Sequence, residues 1–164
     1  MRIDVHHHAI VPKIQRLMRE QGAPFSIPWS LAETYAVMES NDIGFALVSN
    51  AIPGDLFGDA GQAARFTRAA NEAVAELVAD HPDRFGLLAA LPMPHQRAAL
   101  AELDYAFDRL GADGVVLVPH AGDAYLGDPP FAPVLAALNA RRASVLVHPM
   151  ALPGQARPSV PPVL

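Results

Sequence analysis

Apolar residues alternate along this chain between short continuous runs and longer stretches with helical spacing. IGFALVS over 43–49, GVVLV over 114–118 and ASVLV over 143–147 are near-continuous runs of strand length. Two further strands are predicted over 2–7, with Ile3 and Val5 on one face, and over 86–91. The intervening segments predict helices. A brief one covers 12–20, and a second covers 29–40 with Pro28 at its start. A long helix over 61–80 repeats Phe66, Ala70, Val74, Leu77 and Val78 at helical spacing. Another over 96–110 carries a stripe of Leu100, Leu103, Phe107 and Leu110, and Gly111 ends it. A last helix opens at Asp128-Pro129, a cap followed by a first-turn proline, and carries Phe131, Val134, Leu135 and Leu138.

Segments 21–28 and 50–59 hold the glycines and prolines of loops. Residues 150–164 are rich in proline and show no period, so they read as a loop or tail beyond a single unit over 1–149. Five strands separated by helices imply parallel pairing, because each return crossing needs a helix-length connection. Continuous apolar strands fit the same reading, since parallel strands are covered on both faces. A doubly wound sheet and a β/α barrel both satisfy this pattern. No strand runs into a GxGxxG turn, which disfavours dinucleotide binding.

Composition narrows the function classes. A net charge of -5, from 12 Lys+Arg against 17 Asp+Glu, leaves no basic footprint for nucleic acid or anionic lipid. No apolar run reaches membrane-spanning length. Cys is absent, which removes disulfides, thiolate ligands and a cysteine nucleophile together. The opening MRIDVHHH places charges and histidines where a signal peptide needs an apolar stretch, so a cytoplasmic location is expected. Its three histidines complete a strand and are read as part of the fold rather than a tag.

The histidines carry the chemistry. His6 and His8 are two apart in a strand, so both side chains leave one face and can chelate one divalent cation. His7 points to the other face. His148 ends the fifth strand and His120 lies just past the fourth. Substrate sites in β/α folds gather at the carboxyl ends of strands. His6, His8 and His148 are therefore the candidate metal ligands, and His120 is a candidate contact to substrate. His81 reads as a cap at the end of a helix, and His95 as a loop residue ahead of one. Trp29 and Tyr125 could stack on an aromatic ring, but packing is the first reading of each.

With IDVHHH, NDIGFALVS, HPDRFGLLAALPMPH, GADGVVLVPHAGDAYLGDPPFAPVLAAL and VLVHP in this order, the chain resembles the amidohydrolase-related family. The likeness is to the branch of aminocarboxymuconate-semialdehyde and resorcylate-type decarboxylases. It implies a metal-dependent (β/α)₈ barrel, with His6, His8 and His148 as ligands, usually of zinc. It also implies His120 as a catalytic residue near substrate, and Asp128 as a cap. Family members continue with three more strands, bearing a general acid/base histidine and a ligand aspartate for which this sequence offers no counterpart.

The expectation is thus about five of eight β/α units of a TIM-type barrel. The parent activity is a carboxy-lyase acting on a small aromatic or unsaturated carboxylic acid, with a metal-dependent hydrolase as the alternative. An inactive fragment with a binding or structural role is the other reading. Without its remaining strands the sheet would have exposed edges, so the chain is expected to be poorly stable and inactive alone. Self-association, or a complementing second half of the barrel, would remedy that.

Overall fold

The computed structural model describes residues 1–21, 28–50, 52, 57 and 59–150. In chain order these form β1 (Arg2–His7), α1 (Pro12–Glu20), α2 (Leu31–Ser40), β2 (Ile43–Ser49), α3 (Ala60–Asp80), β3 (Phe85–Ala90), α4 (Gln96–Asp108) and β4 (Gly114–Leu117). A small hairpin, β5 (His120–Ala121) with β6 (Ala124–Tyr125), follows. A 3₁₀ turn (Pro129–Phe131), α5 (Ala132–Ala140) and β7 (Ser144–Val147) complete the order.

The main sheet runs β1-β2-β3-β4-β7, and all four pairings are parallel. A doubly wound sheet reverses its order at a switch point, whereas this one advances strand by strand in one direction. That is the topology of a β/α barrel, and the five strands form a partial one. Side chains alternate accordingly. Ala46, Val48, Phe85, Leu87, Ala89, Val115 and Leu117 join the two large cores beneath the helices. Leu88, Ala90 and Val116 form a smaller cluster with Leu47 and Leu146 on the opposite, inner face.

The edge strands lack such cover among the described residues. Ile3 and Val5 on β1 are 58% and 56% exposed, and Val145 and Val147 on β7 are 42% and 49% exposed. β1 and β7 are the two outermost strands of the main sheet. No described helix is long and apolar enough to cross a membrane.

Several predicted boundaries move, for identifiable reasons. α2 begins at Leu31 rather than Trp29, because Ser30 is extended and its side chain accepts a hydrogen bond from the Glu33 N–H. α3 begins at Ala60 because Asp59 caps it through the Gln62 N–H. β3 starts and ends one residue before the predicted 86–91. The predicted stripe on α4 is rotated. Its buried face is Ala99, Glu102, Leu103 and Ala106, while Leu100, Phe107 and Leu110 are only partly covered.

Asp128 departs from the capping role. It stands at the N-terminus of the 3₁₀ turn, but its carboxylate accepts the Tyr125 N–H behind it and closes that loop instead. The β5–β6 hairpin had no counterpart in the predicted elements. Predicted loop residues 22–27, 51, 53–56 and 58, and tail residues 151–164, lie outside the described residues.

Candidate metal centre

His6 and His8 leave the carboxyl end of β1, and His148 follows β7 directly. Three strands lie between those two. In a flat sheet their axes would be four spacings apart, roughly 19 Å. Yet the ring centroids of His8 and His148 are 5.0 Å apart, and those of His6 and His148 are 4.8 Å apart. The sheet is curled enough for its first and last strands to face each other across the inner side.

Backbone contacts fix where each ring stands. The register of β1 against β2 slips between Asp4 and His7, a bulge that re-aims the strand end. Asp4 stabilises the bulge with one carboxylate oxygen on the His6 N–H at 3.0 Å and the other on His7 Nδ1 at 3.1 Å. His7 is thereby held beside Phe85, away from the other histidines, as its position in the strand predicted. On the far side, the His148 N–H donates to the Leu117 carbonyl at the end of β4.

The tautomers follow from the same contacts. His8 Nδ1 donates to the Ser49 carbonyl at 2.6 Å, and His148 Nδ1 donates to the Pro149 carbonyl at 2.8 Å. A carbonyl can only accept, so each Nδ1 carries the hydrogen and each Nε2 of the neutral ring presents a lone pair. His8 Nε2 lies 3.1 Å from His148 Nε2 and 3.1 Å from His6 Nε2. Lone pairs aimed at each other at that distance repel unless a cation or a proton sits between them. Burial holds the His8 pKa below its usual value, helped by the His148 and His6 rings and opposed by the Ser49 carbonyl.

This donor set fits a divalent ion. The candidate ligand atoms of His6, His8 and His148 all lie within 4.8 Å of one another. Two nitrogens each about 2.1 Å from a tetrahedral ion are roughly 3.4 Å apart, close to the 3.1 Å seen here. Three imidazoles would leave further coordination positions on such an ion for water or other ligands.

His120 stands apart from this trio, in the β5–β6 hairpin beyond β4. Its Nδ1 is 3.3 Å from the Gly122 carbonyl, and its ring leans on Tyr125 at 5.9 Å between centroids. Trp29 packs against the core and also borders a shallow groove with His7, His8, Glu33 and Thr34. His81 is the C-cap of α3, and its ring meets the Tyr35 hydroxyl at 3.0 Å. His95 is the N-cap of α4 without a side-chain capping bond.

Sequence reasoning missed the partners that orient the candidate ligands. Asp4 was legible as a carboxylate two and three residues before His6 and His7. The carbonyls of Ser49 and Pro149 carry no side-chain signal, so no pattern of residue types could reveal them.

Comparison with known proteins places this arrangement. The description of the amidohydrolase family matches residues 3–164. The chain belongs to the amidohydrolase family. Over 169 aligned residues it is 36% identical to the decarboxylase yanB of Aspergillus niger, covering 95% of this chain and 45% of that protein. It is 35% identical over 156 residues to the 6-methylsalicylic acid decarboxylase of Penicillium expansum, covering 90% and 48%.

Among solved structures, an amidohydrolase II superposes with a TM-score of 0.81 at 30% identity, over 95% of this chain and 54% of the other. A dihydroxybenzoic acid decarboxylase from a Polaromonas species, solved with manganese and 2-nitroresorcinol, shares the fold at a TM-score of 0.72 and 23% identity. That match covers 92% of this chain and 49% of the other. The chain thus spans about half the length of these family members, matching their N-terminal half.

Proposed function

We propose that this chain contributes the metal-binding half of a carboxy-lyase acting on an aromatic or unsaturated carboxylic acid. The observation carrying this reading is the convergence of three Nε2 atoms from opposite edges of the curled sheet. The decarboxylase relatives support the reaction type, and the 6-methylsalicylic acid and dihydroxybenzoic acid enzymes support the substrate class.

His6, His8 and His148 would hold a divalent metal, zinc in our reading. When bound, it supplies a positive centre that fixes and polarises an oxygen of the substrate. Ser49 and Pro149 hold two of the rings in the ligating tautomer. His120, in the hairpin after β4, is proposed as the proton-handling group near substrate. As the carbon–carboxylate bond breaks, its electron pair stays on the ring carbon. A proton from the imidazolium quenches that pair, leaving carbon dioxide and the arene.

The other half of the barrel, on whichever polypeptide carries it, is proposed as the partner that covers Ile3, Val5, Val145 and Val147. Self-association through those edges is the second way to cover them. The cytoplasmic location expected from the sequence belongs to this proposal too.

The test is to co-express the 164 residues with the C-terminal half of the Aspergillus niger relative and assay carbon dioxide release. Substrates would be 6-methylsalicylate and 2,6-dihydroxybenzoate. Release that is lost with His148→Ala and reduced at least about tenfold with His120→Ala supports the assignment. Turnover of esters or amides by the same complex, with no carbon dioxide from either acid, would favour a hydrolase and overturn it.

A further inference from the structure

The β5–β6 hairpin has two unlike faces. Ala121 pairs with Ala124 across it, and His120 pairs with Tyr125. Residues opposite each other in a ladder point the same way, and successive residues alternate. Ala121, Ala124 and Leu126 pack on the outer core that holds Leu117 and Phe131 beneath the helices. His120 and Tyr125 therefore share the other face, turned away from the helices, with ring centroids 5.9 Å apart. Tyr125 is 41% exposed there.

This face rises beside the histidine trio. The Leu117 carbonyl at the end of β4 accepts the His148 N–H, and Leu117 pairs with Val147. His120 is three residues further on, at most roughly 11 Å from Leu117 along an extended chain. The hairpin and His148 thus leave the same end of two neighbouring strands. The backbone under the phenol ring is pinned. Asp128 accepts the Tyr125 N–H at 2.7 Å and donates its own N–H to the Tyr125 carbonyl at 2.8 Å, while Leu126 N–H donates to the Pro119 carbonyl at 3.0 Å. A two-torsion ring on a fixed backbone loses little freedom when a ligand packs on it.

Resting on the reading of this site as that of a carboxy-lyase, we infer that Tyr125 is its specificity residue for flat rings. The face of its phenol ring, beside His120, is the wall against which the aromatic ring of the acid packs. Stacked or edge contact between two aromatic rings adds to what area burial supplies, and a saturated ring has no quadrupole to complement that face. The hydroxyl of Tyr125 is not needed for this, so phenylalanine can replace it. The hairpin thereby narrows the substrate class to arene carboxylic acids.

The experiment is calorimetric titration of the 164-residue chain, supplied with zinc chloride, with 6-methylsalicylate and with 2-hydroxycyclohexanecarboxylate. The second acid carries a neighbouring carboxylate and hydroxyl on a saturated ring. The arene is expected to bind at least about threefold tighter. Tyr125→Ala, and Tyr125→Leu as a variant that keeps apolar bulk, should bring the two acids within about twofold of each other, whereas Tyr125→Phe should restore the preference. An unchanged preference in Tyr125→Ala and Tyr125→Leu, with binding still lost in His148→Ala, would overturn the role of Tyr125 and leave the proposed site standing. Failure of both acids to bind would overturn the reading of the site, and this inference with it.

Discussion

The carboxamide of Asn71 on α3 pairs with both backbone groups of Ala90, the last residue of β3. Its nitrogen donates to the Ala90 carbonyl at 3.0 Å and its oxygen accepts the Ala90 N–H at 2.9 Å. β2 ends at Ser49, which pairs with Leu88, so Ala90 lies beyond the reach of that strand. Asn71 takes the place of the missing strand neighbour. Glu102 on α4 accepts the second Asn71 hydrogen at 2.8 Å, which fixes the orientation of the amide, and Arg68 donates to Glu102 at 2.7 Å.

Asn71→Ala is expected to cost about 3 kcal/mol, since it leaves the Ala90 donor and acceptor and one Glu102 oxygen unsatisfied in a buried setting. Urea unfolding of the two chains measures it. A loss below about 1 kcal/mol would mean that water replaces the amide.

Glu102 makes stability depend on pH. The residue is buried, and burial raises its pKa against the opposing hydrogen bonds of Asn71 and Arg68. Its folded pKa therefore lies above the unfolded 4.5, and between the two the folded state binds more protons. This contribution is fully present below pH 4.5 and is lost as pH rises through the folded value. Unfolding of the wild type and of Glu102→Gln, compared from pH 4 to 7, should show the wild-type advantage shrinking as pH rises.

Gly114 sits where β4 meets β7. A Cβ added there would lie 2.5 Å from the Ser144 carbonyl oxygen, a backbone atom that cannot swing aside. Gly114→Ala is expected to cost about 2 kcal/mol or more. Because Gly114 pairs with Ser144 in the register that delivers His148, zinc affinity should fall roughly tenfold as well. Calorimetry on folded variant protein separates the two effects.

The bare edges should make the isolated chain associate. Sedimentation velocity is expected to show mass rising with concentration, and Val145→Lys with Val147→Lys should shift the chain toward monomer. A monomer at every concentration, in both chains, would show that these apolar edges are tolerated in water.

Much of the scaffold was readable along the chain because its causes are local. IGFALVS became β2 at the predicted bounds, and the Phe66, Ala70, Val74, Leu77 face of α3 is buried as its spacing required. The same logic failed on α4. Hydropathy ranks Glu102 as exposed, but Asn71 and Arg68 make its burial affordable, and the helix turns that face inward. The β5–β6 hairpin escaped notice because two-residue strands leave no period to detect.

By itself, the sequence determined five β/α units in parallel order and a His-x-His pair on one strand face, since side-chain alternation is a property of a few consecutive residues. Its place at a strand end made His148 a candidate as well, and tertiary structure decided that its Nε2 stands 3.1 Å from that of His8, 140 residues away. Curvature of the sheet closes that distance. The Ser49 and Pro149 carbonyls then choose the tautomers, and neither curvature nor a backbone acceptor is written in the type of any single residue.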